Sequence, residues 1–344
     1  MGVDSMTRRN TDSASLRVMI VGCGNIAGGF DEGCPPERPP YTHAGAYAGD
    51  GRFELLACVE PDEKRRVEFM SAWNVSTGFC SIEDASASGI QVDVISICSP
   101  TVCHANDLQM ALLFKPSLIF CEKPLTASVA ATQKLIDACM QSNIKLAVNY
   151  TRRWDVDVLK LQADMQAGRW GALRSVVAYY NKGIANNGSH MIDLLHLLIG
   201  PMRIVNVGNP INDFFADDVT LPVWLENGAG VPVLLACGHA EDYAIFELQL
   251  VFSRGVLVME EGGMFWRERR VVDSKLFKGY RTLEEGVRRA GQYPGAMRNA
   301  VDNLYRAIQH GDPLFCSGRD ALAAQAVCEA IKQKAKSISD KVNP

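Results

Sequence analysis

An apolar run, Val18 to Val21, leads straight into Gly22-x-Gly24-x-x-Ala27, and a second apolar run, Phe53 to Val59, ends in Glu60. The order strand, tight glycine turn, helix, strand, terminal acid constrains the fold more than any other feature of the chain. Gly22 permits the turn, Gly24 lets the backbone approach a pyrophosphate, and Ala27 keeps helix and strand close. The free N–H groups at the helix start, around Asn25 and Ile26, attract phosphate charge. Glu60 is placed to accept hydrogen bonds from ribose hydroxyls and to repel a 2′-phosphate, which selects NAD over NADP. Lys64, Arg65 and Arg66, just beyond it, read as the solvated face of the next helix. The spacing from Ala27 to Glu60 exceeds the usual unit by the stretch Asp31 to His43. Its Cys34-Pro35-Pro36-Glu37-Arg38-Pro39-Pro40 cannot continue a helix. This is a loop inserted near the cofactor pocket, either a lid or a plain surface loop.

The first half continues to alternate. Strands are expected at Leu16–Val21, Phe53–Glu60, Val92–Cys98, Ser117–Cys121 and Lys145–Asn149, with helices such as Ala105–Phe114 and Val129–Gln141 between them. Alternation of this kind gives a doubly wound parallel sheet whose ligands bind at the carboxyl ends of the strands. Gly22–Ala27, Glu60, Ser99-Pro100 and Glu122-Lys123-Pro124 all fall on that edge. The second half has a helix at Val156–Ala167 and then strands at Leu173–Tyr180, Arg203–Val207, Val219–Leu225, Val231–Ala236, Ala244–Phe252, Val256–Glu260 and Met264–Arg269. A helix near Ser189–Leu198 interrupts them. Strands without intervening helices favour an open, mainly antiparallel sheet in an α+β domain. Helices near Ala296–Gln309 and Arg319–Ser337 close the chain. The expected division is a disordered tail over 1–15, a cofactor domain over 16–150, and a substrate-binding and oligomerisation domain over 151–344.

At 344 residues the chain exceeds one ordinary core. A net charge of −4 gives no electrostatic reason to bind nucleic acid, and no apolar run reaches membrane-spanning length. The polar start has no signal-peptide core. Eleven cysteines, several inside apolar strands (Cys58, Cys98, Cys121, Cys237), show neither zinc-ligand spacing nor an even count. Free thiols in a reducing cytoplasm follow. Asp217-Asp218 has no third ligand nearby and reads as a loop or strand edge, so no metal is expected.

Three further blocks narrow the function: Ile97-Cys98-Ser99-Pro100-Thr101-x-x-His104, Cys121-Glu122-Lys123-Pro124-Leu125, and Asn186-Asn187-Gly188-Ser189-His190-Met191-Ile192-Asp193. With Asn149-Tyr150-Thr151-Arg152-Arg153-Trp154 they resemble the glucose–fructose oxidoreductase, inositol dehydrogenase and rhizopine-catabolism (Gfo/Idh/MocA) family, from about Leu16 to Ser337. The resemblance implies an N-terminal Rossmann domain, a C-terminal α+β domain on an open antiparallel sheet, and an NAD-dependent oxidoreductase acting on a sugar. It places Lys123 at the substrate hydroxyl beside the nicotinamide, with a cis Lys-Pro bond aiming it into the cleft. Glu122 would lie near the nicotinamide ribose, Ser99 and Pro100 would border the cofactor, and His104 would either cap the next helix or join them.

His190 matches the family histidine of an Asp-x-x-x-His motif, but the aspartate position is Asn186. An amide carries no charge to stabilise an imidazolium, which shifts the role of base toward Lys123. Asp193, one turn later, can replace the missing carboxylate. Tyr150, Arg153, Trp154, Asn186 and Asn187 are expected at the substrate. A guanidinium of Arg152 or Arg153, where the last Rossmann strand ends, would hold a phosphate or carboxylate, or else form an interdomain salt bridge. His43 would face either the cofactor or the core. The Asn-Gly-Ser-His variant and the proline-rich insertion look like members that act on nucleotide-linked sugars. A free-sugar or inositol dehydrogenase and a non-catalytic, NAD-responsive regulator are the alternatives. A homodimer or homotetramer is expected.

Overall fold

The computed structural model describes residues 15–35 and 37–342. Apart from Ser15, the tail expected over 1–15 lies outside the described residues.

Six parallel strands form the first sheet: β1 (Leu16–Val21), β2 (Phe53–Val59), β3 (Thr77–Phe79), β4 (Val94–Ile97), β5 (Leu118–Cys121) and β6 (Lys145–Val148), in the order β3-β2-β1-β4-β5-β6. Every residue of β4 and β5 is buried, as a sheet covered on both faces requires. The covers are α1 (His43–Ala48), α2 (Glu63–Trp73), α3 (Ile82–Ala87), α4 (Thr101–Ala111) and α5 (Val129–Gln141). The order reverses between β1 and β4, which opens a crevice at their carboxyl ends.

The helix expected directly after the glycine turn is split. Residues 25–28 make a single turn, with Gly28 N–H donating to Gly24 O at 3.2 Å. The chain then leaves on the proline-rich excursion and returns as α1. There His43 N–H and Ala44 N–H donate to Ile26 O (3.2 Å) and Ala27 O (2.8 Å). The second piece of helix is thus docked on its own first turn. Asp31 fastens the excursion: its Oδ2 accepts from Tyr41 N–H (2.8 Å), Thr42 N–H (2.8 Å) and Thr42 Oγ1 (2.7 Å). Thr42 in turn caps α1 by accepting from Gly45 N–H.

After α6 (Val156–Gln166) the chain builds the second sheet from β7 (Leu173–Tyr180), β8 (Met202–Val207), β11 (Val223–Asn227), β12 (Pro232–Cys237), β13 (Phe246–Phe252), β14 (Gly255–Glu260), β15 (Phe265–Asp273), β16 (Arg281–Leu283) and β17 (Val287–Ala290). The hairpin β9 (Ile211–Phe215) and β10 (Asp218–Thr220) stands apart. The strand expected over Val219–Leu225 is two strands, β10 and β11, divided at Leu221-Pro222, where proline brings no N–H. Pairing is antiparallel except between β7 and β12. Along β13, Phe246, Leu248, Leu250 and Phe252 turn to the buried face; α7 (Ser189–Ile199) follows β7 in the chain.

The last helices, α8 (Ala296–Gln309) and α9 (Gly318–Val342), go back to the first sheet. Val148 N–H donates to Cys316 O (3.2 Å), Ala147 bridges Ser317, and Gln325 on α9 bonds Thr126 O and Thr132 Oγ1, both at 2.8 Å. The stripe Ala321, Ala324, Cys328, Ile331 is buried. The second half therefore lends two helices to the first, and the expected border at residue 150 is a border in sequence more than in space. Among the described residues no helix is long and apolar enough to cross a membrane.

Candidate active site

Gly22 sits at φ +86°, and a Cβ there would lie 2.6 Å from Ser99 N. Glycine is required by both conformation and space. A Cβ on Gly24 would meet nothing within 4 Å, so the turn faces open room, as a pyrophosphate would need. Ala27 is fully buried against the sheet, while Asn25 and Ile26 remain at the surface of the turn. Glu60 is fixed beside them. Its Oε2 accepts from Cys23 N–H (3.0 Å), inside the glycine turn, and its Oε1 from Asp62 N–H (3.1 Å). These residues fit a dinucleotide. Arg65 lies on the expected solvated face, 57% exposed, with Nη1 3.8 Å from the Glu60 carboxylate, while Arg66 is half-buried and donates to Glu60 O.

Pro100 precedes α4, and Ser99 Oγ donates to Asp107 Oδ2 (2.5 Å). His104, expected to cap α4 or join the cofactor site, is buried inside the helix. Its ring nitrogens lie 2.8 Å from Ser99 O and from Pro124 O. It clips the loop after β4 to the loop after β5.

That second loop carries Lys123, in a cis peptide bond to Pro124. Lys123 Nζ donates to Asn186 O (3.1 Å) and Asn186 Oδ1 (3.0 Å). Burial lowers its pKa, opposed by the charges of Glu122 and Asp218. Glu122 accepts from Asn149 Nδ2 (2.6 Å) and bonds His43 Nε2 (3.0 Å). Burial raises the Glu122 pKa, but these bonds outweigh it and hold the group below the usual carboxylate value. His43, from the start of α1, is fully buried and packs on Phe120; it is a partner of Glu122.

Asn186 belongs to a π-helical segment, Gly183–Gly188, that enters α7. Asp218 clamps this segment, accepting from Ala185 N–H (3.0 Å) and Asn186 N–H (2.8 Å). Asp218, at the start of β10 as a strand edge was expected to be, is also a buried anchor. His190 follows in the first turn of α7, edge-on to the buried Tyr150 ring at 5.2 Å. Burial, with Lys123 and Arg152 nearby, lowers its pKa well below the ordinary value, so the ring is neutral.

Several expectations fail at this point. Asn186 meets Lys123, not His190. Asp193, expected to replace the missing carboxylate, has both oxygens 2.9 Å from Arg153 Nε. Arg153 also reaches Asp320 (3.2 Å) at the start of α9, so it ties α7 to α9 and is not free for a substrate. Trp154 is fully buried, donates to Asn303 Oδ1 (3.1 Å) and meets Phe120 edge-on. Its ring has no face left for a substrate.

The cleft is a cavity of about 760 Å³ whose walls include Glu122, Lys123, Asn149, Asn186, Asn187 and His190. Phe30 and Tyr41 of the insertion, Arg152, and Tyr293 before α8 also line it. Nothing in the sequence pointed to Tyr293. The Arg152-Arg153 doublet was visible, but which member faces the cleft is decided by the 3-10 turn at Thr151–Trp154.

Residues 16–150 match the model of an oxidoreductase family with an NAD-binding Rossmann fold. The chain is 23% identical over 319 residues to inositol 2-dehydrogenase of Rhizobium meliloti, covering 84% of this chain and 91% of that protein. The fold is shared with the WlbA dehydrogenase of Bordetella pertussis in complex with NADH and UDP-GlcNAcA (TM-score 0.74, 16% identity, 94% of this chain and 97% of that one). It is also shared with a 3-ketoreductase of Actinomadura kijaniata in complex with NADP (TM-score 0.73, 17% identity, 93% and 98%). Fold and family match define an oxidoreductase built on an NAD-binding Rossmann domain. Residues 16–150 carry the NAD-binding Rossmann domain that the Gfo/Idh/MocA oxidoreductase family model describes.

Proposed function

We propose that the protein moves a hydride between NAD and a hydroxyl-bearing or ketone carbon of a sugar, and that the sugar is nucleotide-linked. The observation that carries this reading is Lys123. It is a desolvated amine aimed into a cleft between a glycine turn and a sugar-sized cavity, and its two acceptors are neutral oxygens of Asn186. Bound, the dinucleotide supplies the hydride acceptor or donor. Lys123 takes the hydroxyl proton in oxidation and returns it in reduction. His190, neutral, orients the hydroxyl, and the amides of Asn186 and Asn187 recognise neighbouring hydroxyls.

Glu60 favours NAD over NADP. All eleven cysteines are free, which suits a reducing cytoplasm. The open face of the second sheet, with Tyr179, Trp224 and Leu234 exposed, suits self-association. The test is a panel of nucleotide sugars, free sugars and inositols with NAD, read by absorbance of the reduced nicotinamide. Turnover of a nucleotide sugar is expected. Turnover confined to free polyols would move the protein to catabolism, and binding of NAD with no turnover of any sugar would make it a regulator.

A further inference from the structure

Arg152 and Arg153 are neighbours in sequence with opposite fates. Arg153 is neutralised by Asp193 and Asp320. Arg152 points into the cleft, and among the described residues no carboxylate lies within ion-pair distance of it. Its guanidinium is nevertheless immobilised. It lies over the Phe246 ring (3.7 Å to the centroid) and against the Tyr293 ring (4.9 Å), and its Nε donates to Gly262 O at 3.1 Å. Gly262 stands at φ +70°, where a Cβ would come within 2.8 Å of Arg152 Nη2. The loop thus needs glycine to close on the arginine. Asp155 acts on Arg152 only from beyond ion-pair distance, and burial pushes Asp155 itself up to about 6. Arg152 lines the same cavity as Lys123 and His190, and its charge lowers the pKa of both.

A half-buried, pre-set cation with no carboxylate at ion-pair distance among the described residues is costly unless an anion arrives. Two rings and a carbonyl hold the guanidinium in place while leaving its charge unspent, and this rigidity lowers the ordering cost of binding. We propose that Arg152 is the subsite for an oxyanion carried by the substrate: a carboxylate on the sugar ring or a phosphate oxygen of a nucleotide linkage. The inference deepens the reading of the protein as a sugar oxidoreductase and rests on that reading for the identity of the ligand.

The test measures binding of glucose, glucuronate and UDP-glucose to the NADH-loaded protein by calorimetry, for wild type, R152K and R152Q. A charged hydrogen bond of this kind gives a preference of about tenfold or more over glucose. Preference for glucuronate assigns the ring carboxylate, and preference for UDP-glucose alone assigns the phosphate. The ratio should collapse toward one in R152Q, survive in part in R152K, and fall with added salt in the wild type. The salt dependence needs no variant and holds even where R152Q fails to fold.

Equal or absent binding of charged and neutral sugars by the wild type overturns the inference, as does a preference undiminished in folded R152Q. Turnover of the same sugars is followed in parallel. Preference without turnover leaves the Arg152 subsite standing and sinks the oxidoreductase reading. Turnover without preference does the reverse.

Discussion

Lys123 and Asn186 form one unit. Oxidation needs the free amine, so the rate should rise with pH through the Lys123 pKa, which burial has brought below the ordinary lysine range. Lys123→Met should cut kcat by roughly 10²–10⁴-fold and remove that limb of the pH profile. NAD affinity by calorimetry should change little. His190→Asn should cost less and leave the limb in place. Asn186→Asp would set a carboxylate about 3.0 Å from Nζ; the limb should then move to higher pH by about one unit or more, slowing oxidation at neutral pH. An unmoved limb would separate the two residues. Glu60→Ala should narrow the NAD-over-NADP preference in the same titrations, because it removes both the hydroxyl contact and the repulsion. Lys123 was legible from Cys-Glu-Lys-Pro at a strand end. Its partner was not, because i,i+4 spacing couples Asn186 to His190, whereas the π-helical turn after Lys182, at φ 64°, swings the amide across to the lysine.

The inserted loop between the two pieces of split helix is an element with its own fastening. Three donors converge on Asp31 Oδ2. Asp31→Ala should cost roughly 1.5–3 kcal/mol in urea unfolding, the range for bonds to a buried charged acceptor. It should also raise KM, since Phe30 and Tyr41 lose their positions on the cleft wall. Strands such as Leu16–Val21 and Leu173–Tyr180, and the helix Val129–Gln141, stand where expected, because each is an apolar or periodic run bounded by turn residues. The prolines announced the insertion. They did not reveal that the helix resumes against Ile26 and Ala27, since backbone bonds across a gap leave no pattern in side chains. The strands β3, β9, β16 and β17 are three to five residues long, too short for periodicity to show.

Arg153 ties α7 to the start of α9, the helix that closes the first sheet. Arg153→Met leaves Asp193 buried without its partner and should destabilise the protein by about 3–5 kcal/mol in chemical denaturation. On the open sheet face, Trp224→Glu should shift the mass in light scattering toward the monomer; a wild type that is already monomeric at micromolar concentration refutes self-association through this face. The closing helices bear on synthesis as well as on structure. The sheet that carries the glycine turn ends in β6, whose outer edge is met by Cys316 and Ser317, and the flank of α5 is covered by α9. A ribosome that has made every strand of that sheet still holds an unfinished one. Its edge and the apolar side of α5 stay open until residues 316–331 emerge, a window in which unpaired strand invites wrong partners. Arrested chains ending at residue 150 should therefore be cut rapidly by protease, with resistance appearing only once α9 has been released.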